Sequence, residues 1–379
     1  MAKKYRVLQV CALNAGGIET FVMNIYRELK KENIVFDFVN YFDPKKEQFH
    51  EKEVSEYGSN IYKTGSFNYK NPLVKHLHKN LKLYKFLKKN NYDVVHVHAS
   101  DNVSLEDCFI AKIAGVKKII VHSHNTSINK EEQFYKLKVI LNKCTKRIWR
   151  YVATDFFACS TLAAEWMFDE GLNKNNRVKI VNNAIDSSKY IFNDKIRKEY
   201  KSKLNIENNI LIGHIGRFSY QKNHEFLIDI FNELKVINPS AKLLLIGSGE
   251  LEDNIKEKVK SLDLEKDIIF YGLSNKCSEL MQAMDVFVLP SRFEGLPLVG
   301  IEAQASGLKV LVSDKVSKQM KITDNVEYLP LELGSKKWAE KINNACNNYK
   351  RKDMSSKIKI SGFDILEVAK ELKKCYLLE

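Results

Sequence analysis

The chain has 379 residues, of which 44% are hydrophobic and 28% are charged, and its formal net charge is +14. This length predicts two domains, and the apolar content is sufficient for two buried cores. No segment resembles a membrane-spanning helix of roughly 18 or more apolar residues, and the first residues, MAKKYR, do not resemble a signal peptide. We therefore expect a cytoplasmic protein.

Seven cysteines are scattered along the chain and never occur in C-x-x-C spacing. The sequence therefore predicts neither a disulfide framework nor a structural zinc site. We expect reduced and mostly buried thiols.

The positive charge is concentrated in the first half of the chain. Residues 1–190 contain 31 Lys and Arg against 20 Asp and Glu, and residues 61–90 contain eight lysines and no acid. The pattern predicts an amphipathic helix whose cationic face carries Lys75, Lys79 and Lys82, with Leu77, Leu81 and Tyr84 interleaved. Such a helix can attract an anionic membrane or a lipid diphosphate, but it is also typical of a solvated surface. No nucleic-acid-binding motif accompanies it, so we expect no nucleic acid partner.

The chain begins with a predicted strand over 6–10, followed by Gly16 and Gly17 and by a helical pattern over 19–31. Strand, glycine turn and helix are typical of a Rossmann-like opening, although the two glycines are also compatible with a simple tight turn. The G-x-G-x-x-G fingerprint is absent, and no acidic residue follows where NAD ribose would need one. An NAD enzyme is therefore disfavoured.

Histidines occur at the carboxyl ends of two later predicted strands, which lie on the same side of the predicted sheet. The strand over 92–98 carries His96 and His98, and the strand over 118–121 is followed by His122 and His124. No carboxylate or cysteine accompanies them at a ligand-like spacing, so we predict no metal site. Strands over 156–159 and 178–182 complete this half, and the polar segment 187–208 is predicted to link it to the next.

The second half starts again with a strand over 210–215, a loop that contains Arg217 and Lys222, and a helix to 236. Two cations at one strand-to-helix junction can clamp a diphosphate, although they are also compatible with surface charges. Further strands over 242–246 and 268–270 precede the glycine turns at Gly247, Gly249 and Gly272, and Leu273 follows. We expect these loops to flank the base and ribose of a nucleotide.

A strand over 286–289 ends at Pro290, and a helical pattern resumes from Val299. The turn carries Glu294, and the helix carries Glu302, with seven residues between them. The backbone N–H groups of the intervening loop and the helix N-terminus can face an anion. A pair of solvated glutamates remains the alternative interpretation. The loop residues that we assign to binding are Gly295, Leu296, Pro297 and Leu298.

The segment FEGLP, followed by EAQASGL from Glu302, resembles the Glu-x7-Glu motif of retaining glycosyltransferases of family 4, especially bacterial members that build exopolysaccharide and capsule. The resemblance implies an α/β protein of the GT-B fold, with two Rossmann-like domains facing across a cleft. It implies an acceptor-side domain over 1–187, joined by a C-terminal crossover helix over 363–379, and a nucleotide-sugar domain over 188–362. The chain departs from the family pattern at Ala184 and at Asn223, where glycine is usual.

The resemblance also implies roles for matching residues. His124 would line the donor-sugar pocket, and Gly16 and Gly17 would lie near the donor phosphate and the acceptor. The expected catalytic group is His124, Arg217, Lys222 and Glu294. The expected donor-binding set is Gly16, Gly17, Arg217, Lys222, Gly247, Gly249, Leu273, Glu294, Gly295, Leu296, Pro297, Leu298 and Glu302.

The implied reaction is retaining transfer of a hexose from a nucleotide-diphosphate sugar, with a UDP-sugar as the expected donor, to a lipid-linked or saccharide acceptor. No Asp-x-Asp sequence is present, so we expect neither metal nor other cofactor, and fixed cations must stabilise the diphosphate. The basic first half could hold the protein at the inner face of the cytoplasmic membrane. Two alternatives remain: a UDP-sugar epimerase or hydrolase of the same fold, and a non-catalytic nucleotide-sugar-binding subunit.

Overall fold

The structure is a computed structural model that describes residues 5–100, 102–125 and 135–377. The chain forms two compact units. Unit 1 contains Met1–Ala184 and Ile365–Glu379, and unit 2 contains Ile185–Asp364. These divisions lie three residues before and two residues after the predicted boundaries at 187/188 and 362/363.

Unit 1 is built on a parallel sheet whose seven strands lie in the order β3-β2-β1-β4-β5-β6-β7. The strands are β1 (Tyr5–Val10), β2 (Ile34–Asn40), β3 (Ile61–Lys63), β4 (Val94–Ala99), β5 (Lys118–Ser123), β6 (Asp155–Ala158) and β7 (Val178–Ile180). The helices that connect them are α1 (Gly17–Leu29), α2 (Glu51–Glu56), α3 (Pro72–Lys89), α4 (Ser104–Ile113), α5 (Tyr135–Thr145), α6 (Trp149–Val152), α7 (Thr161–Met167) and α8 (Glu170–Lys174).

Unit 2 has a parallel sheet of six strands in the order β10-β9-β8-β11-β12-β13. The strands are β8 (Ile210–Ile215), β9 (Ala241–Ile246), β10 (Ile268–Gly272), β11 (Val286–Leu289), β12 (Lys309–Ser313) and β13 (Val326–Leu329). The helices are α9 (Asp194–Lys203), α10 (His224–Ile237), α11 (Glu252–Ser261), α12 (Cys277–Ala283), α13 (Leu298–Ala305), α14 (Gly334–Asn348) and α15 (Ser355–Ile360). The chain then returns to unit 1 as α16 (Ile365–Leu377), which packs against α1.

Both sheets are buried, as parallel sheets must be when helices cover both faces. The central strands β4, β5, β8 and β11 consist almost entirely of buried residues. In unit 2 the strand order reverses at β8, which has β9 on one side and β11 on the other. Ligands of open parallel sheets bind outside the carboxyl ends of the strands at such a switch point. The loops after β8 and β11 are therefore neighbours at the place where a ligand is expected.

Three expectations need correction. The segment over 187–208, predicted as the linker and the entry into the second domain, lies within unit 2 and contains a 3₁₀ turn over Ser187–Tyr190 and the ten-residue helix α9. All seven cysteines are free, but only Cys108 and Cys159 are fully buried. A separate finding needs no correction: within the described residues, no helix combines the length and the apolar character needed to cross a membrane.

The third correction concerns α3, in which some residues predicted to be exposed are buried and some predicted to be buried are exposed. Lys79 was expected on a cationic surface, but it is only 2% exposed and pairs with Asp107 of α4 at 3.0 Å. Tyr41 donates a hydrogen bond to the same carboxylate at 2.6 Å. Leu77 and Leu81 are instead 61% and 50% exposed. The buried ion pair with α4 outweighs the ordinary preference of lysine for solvent, because both charges are paired and hydrogen-bonded.

Candidate functional site

The candidate site of unit 2 is centred on an ion pair between Lys222 and Glu294. Lys222 ends the 3₁₀ turn Tyr220–Lys222 after β8, and Glu294 lies in the loop after β11. Lys222 Nζ contacts Glu294 Oε1, and the side chains are only 16% and 8% exposed. The two predicted residues are therefore in direct contact, in an environment where solvent screens their charges weakly.

Two further side chains hold the Glu294 carboxylate. Gln221 Nε2 donates to Glu294 Oε2 at 3.1 Å and to the carbonyl of Phe293, also at 3.1 Å. Ser291 Oγ donates to Glu294 Oε1 at 3.1 Å. Sequence reasoning missed both residues, although each stands within a few positions of a predicted one. With Lys222, they give the carboxylate a fixed orientation.

The two loops are also joined through their backbones. Asn223 adopts the left-handed conformation, with a φ of 58°, and its side-chain amide donates to the carbonyl of Pro290 at 3.0 Å. Asparagine tolerates this conformation better than most residues, so the absence of the usual glycine is accommodated. Arg292 N–H donates to the Gln221 carbonyl at 2.8 Å. These bonds hold the ion pair between two ordered loops.

The predicted glycine turns after β9 pack closely against the loop after β8. A Cβ on Gly247 would lie 2.2 Å from the carbonyl oxygen of Gly216, and φ at Gly247 is +139°. A Cβ on Gly249 would lie 2.5 Å from the carbonyl oxygen of Phe218. Glycine is therefore required at both positions by backbone contact within the protein.

The loop that precedes α13 presents free backbone amides. Gly295 and Leu296 donate no backbone hydrogen bond to any described residue, and Pro297 occupies the N-cap position of α13. The first amides of α13, starting at Leu298, add the partial positive charge of a helix N-terminus. This segment is suited to bind hydroxyl or phosphate oxygens beside Glu294.

Glu302 lies inside α13 and is 8% exposed. Burial raises the pKa of its carboxyl group to about 7, and a hydrogen bond from Tyr190 opposes this rise. Burial also raises the pKa of Tyr190, and the neighbouring Glu302 adds to that effect. Tyr190 was not predicted, because no motif marks it and it lies far upstream in the sequence. Glu302 is thus close to half-ionised near neutral pH.

Two predicted residues stand apart from these contacts. Arg217 is exposed, and its guanidinium forms no hydrogen bond or ion pair with either glutamate in the described part of the chain. Leu273 follows β10 and is 50% exposed. The structure therefore brings Lys222 together with Glu294, but it does not add Arg217 to that contact.

Unit 1 carries the remaining predicted residues. Gly16 is the N-cap of α1, and Gly17 is the first residue of that helix. A Cβ on Gly16 would clash with the Glu19 carboxylate at 2.3 Å, whereas a Cβ on Gly17 would meet nothing within 4 Å. His124 follows β5, and its backbone N–H donates to the carbonyl of Ala99 at 3.0 Å.

His124 belongs to a group of four imidazoles that we call the histidine layer: His96, His98, His122 and His124. The four rings lie on one face of β4 and β5, with His122 and His124 centroids 4.2 Å apart. Nitrogen atoms of His96, His98 and His122 lie within 4.8 Å of one another, so a metal can be considered. However, the rings of His96 and His98 are stacked at 27°, and both nitrogens of His98 are already hydrogen-bonded. The expectation of no metal site stays a prediction.

Comparison with protein families gives a match in each half of the chain. Residues 15–189 match the model described as Glycosyltransferase Family 4. Residues 196–360 match the model described as Glycosyl transferases group 1. The unit 2 residues discussed above, apart from Tyr190, fall within the second match.

Two curated relatives illustrate the sequence similarity. The putative glycosyltransferase EpsF of Bacillus subtilis (strain 168) is 33% identical over 323 residues, which cover 83% of this chain and 80% of the relative. An Escherichia coli enzyme named UDP-Gal:alpha-D-GlcNAc-diphosphoundecaprenol alpha-1,3-galactosyltransferase is 27% identical over 323 residues, which cover 80% of each chain.

A solved structure, Anabaena Alr3699/HepE in complex with UDP-glucose, matches this chain with a TM-score of 0.77 at 17% identity. The match covers 99% of this chain and 100% of the other. At this identity the similarity concerns the fold alone. It confirms the predicted α/β class with two Rossmann-like domains.

Proposed function

Because the chain belongs to the glycosyltransferases of the GT-B fold, with a family 4 half and a group 1 half, we propose that it transfers a hexose from a UDP-sugar to a lipid-linked or oligosaccharide acceptor, with retention of configuration. Bacterial surface polysaccharide is the proposed product. The observation that carries this proposal is the shielded Lys222–Glu294 pair beside the free amides that precede α13.

The donor class is supported by chemistry and by the relatives. A primary ammonium group and a helix N-terminus at the carboxyl ends of β8 and β11 suit a diphosphate, and neighbouring carboxylates suit sugar and ribose hydroxyls. The Escherichia coli relative is named for UDP-Gal, and the Anabaena structure contains UDP-glucose. UDP-hexose is therefore the donor that we propose.

Each site residue has a proposed task. Lys222 and the exposed Arg217 stabilise the charge that develops on the leaving diphosphate, as fixed cations rather than a metal. Glu294, oriented by Gln221 and Ser291, and the backbone N–H groups of Gly295, Leu296 and Leu298 hold the hexose. Glu302 accepts hydrogen bonds from the ribose hydroxyls, and Leu273 with the turns at Gly247 and Gly249 flanks the base.

The acceptor side is assigned to unit 1. Gly16 and Gly17, at the N-terminus of α1, are proposed to lie near the donor phosphate and the acceptor, and His124 is proposed to orient sugar hydroxyls. The name of the Escherichia coli relative specifies a diphosphoundecaprenol acceptor, which supports a lipid-linked substrate for this chain. A lipid substrate requires access to a membrane. We propose that unit 1 docks on the inner face of the cytoplasmic membrane through α3.

The test is sugar transfer by Lys222→Ala and Glu294→Gln variants, measured as UDP released in the presence of a lipid-linked acceptor. We expect kcat/KM to fall by roughly 100-fold or more in each, because fixed electrostatic contacts at a developing charge have effects of this order. Lys242→Ala is the matched control. The Lys242 ammonium group also pairs with a carboxylate, that of Asp267 at 2.9 Å, but this pair lies near the beginning of β9, away from the carboxyl ends of the strands.

The control should retain activity. Melting temperatures of all three variants report whether the fold is intact. Near-normal transfer by folded Lys222→Ala and Glu294→Gln would reject the proposed site. Release of free hexose from the wild-type protein without an acceptor would indicate a hydrolase instead.

A further inference from the structure

The histidine layer of unit 1 continues into a series of hydrogen bonds that reaches α16. His96 Nδ1 lies 2.8 Å from the Tyr376 hydroxyl, and the Gln9 side chain also lies near that hydroxyl. Gln9 Oε1 lies 2.8 Å from His98 Nε2. His98 Nδ1 lies 2.9 Å from His124 Nε2. Gln9 of β1, His98 of β4 and His124 at the end of β5 are therefore joined in sequence, and His96 of β4 is bonded separately to Tyr376 of α16.

Four of these five side chains are almost completely shielded from water. Gln9, His96 and Tyr376 are each 1% exposed, and His98 is 8% exposed. Burial lowers the pKa of His96 and His124 to about 3 and lowers the pKa of His98 well below its ordinary value. The rings are thus neutral at pH 7, so each has one N–H donor and one lone-pair acceptor.

A neutral imidazole with both nitrogens bonded transmits the direction of hydrogen bonding across its ring. The carbonyl oxygen of Gln9 can only accept, so His98 Nε2 must be the N–H donor and His98 Nδ1 the acceptor. His124 Nε2 must then donate to His98 Nδ1. The remaining nitrogen, His124 Nδ1, carries a lone pair and is buried without a hydrogen-bond partner in the described chain.

Tyr376 lies close to the Gln9 side chain. Burial raises the pKa of the Tyr376 hydroxyl group, and the Gln9 side chain opposes this rise. Rotating the Gln9 amide by 180° would reverse the donors along Gln9, His98 and His124.

We propose that Gln9 and His98 are positioning residues that fix the ring plane and the Nε2–H tautomer of His124. The tautomer of His124 does not depend on which reaction the protein catalyses, but its role in binding a sugar rests on the proposed function. In this state His124 Nδ1 can act only as a hydrogen-bond acceptor, so a sugar hydroxyl that bonds to it must be the donor. Neither residue touches the substrate in this assignment.

The first test reads the tautomer directly and needs no activity. Nitrogen NMR of the ¹⁵N-histidine-labelled full chain distinguishes N–H from lone-pair nitrogens, and loss of a signal set in His124→Asn assigns the ring. We expect Nε2–H in the wild type and in Gln9→Glu, which presents only acceptors to His98. Gln9→Met, which presents none, should give a mixture. A wild-type His124 with Nδ1–H, or an unchanged tautomer in Gln9→Met, overturns the proposal.

The second test measures transfer from the UDP-sugar that supports activity. Gln9→Met should lower kcat roughly three- to tenfold, the effect of about one neutral hydrogen bond, with little change in donor KM, and Gln9→Glu should restore part of the loss. His122→Phe is the matched control, because His122 packs in the same histidine layer but takes no part in the hydrogen bonds that join Gln9, His98 and His124. If His122→Phe and Gln9→Met lowered kcat equally, the loss would be explained by altered packing of the histidine layer, and the positioning role of Gln9 would be rejected.

The two failures remain distinguishable. If no UDP-sugar supports transfer but the tautomer responds as expected, the proposed function fails and the positioning inference stands. If transfer occurs but His124 has the opposite tautomer, only the inference fails.

Discussion

The two glutamates of unit 2 have very different surroundings. Glu294 meets an ammonium group, an amide and a hydroxyl, so its negative charge is compensated within the protein. Burial raises the pKa of Glu302 to about 7, a hydrogen bond from Tyr190 opposes this rise, and no cation among the described residues offsets it. A buried carboxyl group of this kind is typical of functional sites, because its cost to stability needs a compensating role.

Glu302 should make stability depend on pH. Its pKa in the folded protein lies above the ordinary value of 4.5, so the folded state holds the proton more tightly, and the free energy of unfolding falls as pH rises from about 5 to 7. Glu302→Gln removes this cost. We expect the free energy of unfolding of the variant to be higher than that of the wild type by up to about 3 kcal/mol at pH 8, and by much less at pH 5.

Thermal or urea unfolding of the two proteins at both pH values measures this difference. Glu207→Gln, at an exposed position of the same unit, controls for the loss of one charge. We also expect Glu302→Gln to bind UDP more weakly, since a neutral amide accepts ribose hydroxyls less strongly. A stability gain that is equal at pH 5 and pH 8 would show that Glu302 is not the titrating group.

At this scale the sequence predicted the charged residues but not their partners. Lys222 and Glu294 stand in recognisable strand-to-helix loops, and their contact follows from the switch of strand order at β8. Tyr190 could not be predicted, because its contact with Glu302 depends on how the 3₁₀ turn after Asp186 packs on α13. The series from Gln9 to His124 depends on side-chain rotamers that sequence patterns do not encode.

The helices show how periodicity can predict an element and still assign its faces wrongly. The spacing over 72–89 predicts a helix, and α3 is present. Buried partners then decide which residues face inward: Asp107 draws Lys79 into the contact with α4, and Leu83 and Leu87 fill the core. Leu73, Leu77 and Leu81 are left on one exposed stripe, at 82%, 61% and 50% exposure.

This exposed stripe, with Lys82 and Lys85 beside it, is suited to an anionic lipid surface. We expect the wild-type protein to bind vesicles containing phosphatidylglycerol, less so at high salt, and not vesicles of phosphatidylcholine alone. Replacing Leu73, Leu77 and Leu81 together by Ser should weaken binding by roughly tenfold or more, because apolar insertion is lost.

Cosedimentation with the vesicles measures this prediction. Val236→Ser is the control, since Val236 is 81% exposed on α10 in the other unit. If the triple variant bound the vesicles as well as the wild type does, α3 would be excluded as the docking element. Solubility and melting temperature of the variant show whether α3 still folds.

For the whole molecule, two α/β units were predictable because each half repeats the order of strand, glycine turn and helix, and because parallel sheets need continuous apolar strands. The helix α9 was missed because its residues are strongly polar and its stability depends on contacts. Arg197 of α9 donates to carbonyls at the end of α12 and pairs with Asp285 at 2.5 Å. Tertiary contacts of this kind have no local signal.

The central claim is that unit 2 holds a nucleoside diphosphate with fixed cations of the protein. Calorimetric titration of the full chain with UDP, in buffer containing EDTA, tests it most directly. We predict that the wild type and Lys242→Ala bind UDP equally well without a divalent ion, and that Lys222→Ala binds roughly tenfold or more weakly. Binding that requires added Mg²⁺ or Mn²⁺, or that is unchanged in Lys222→Ala, would contradict the account.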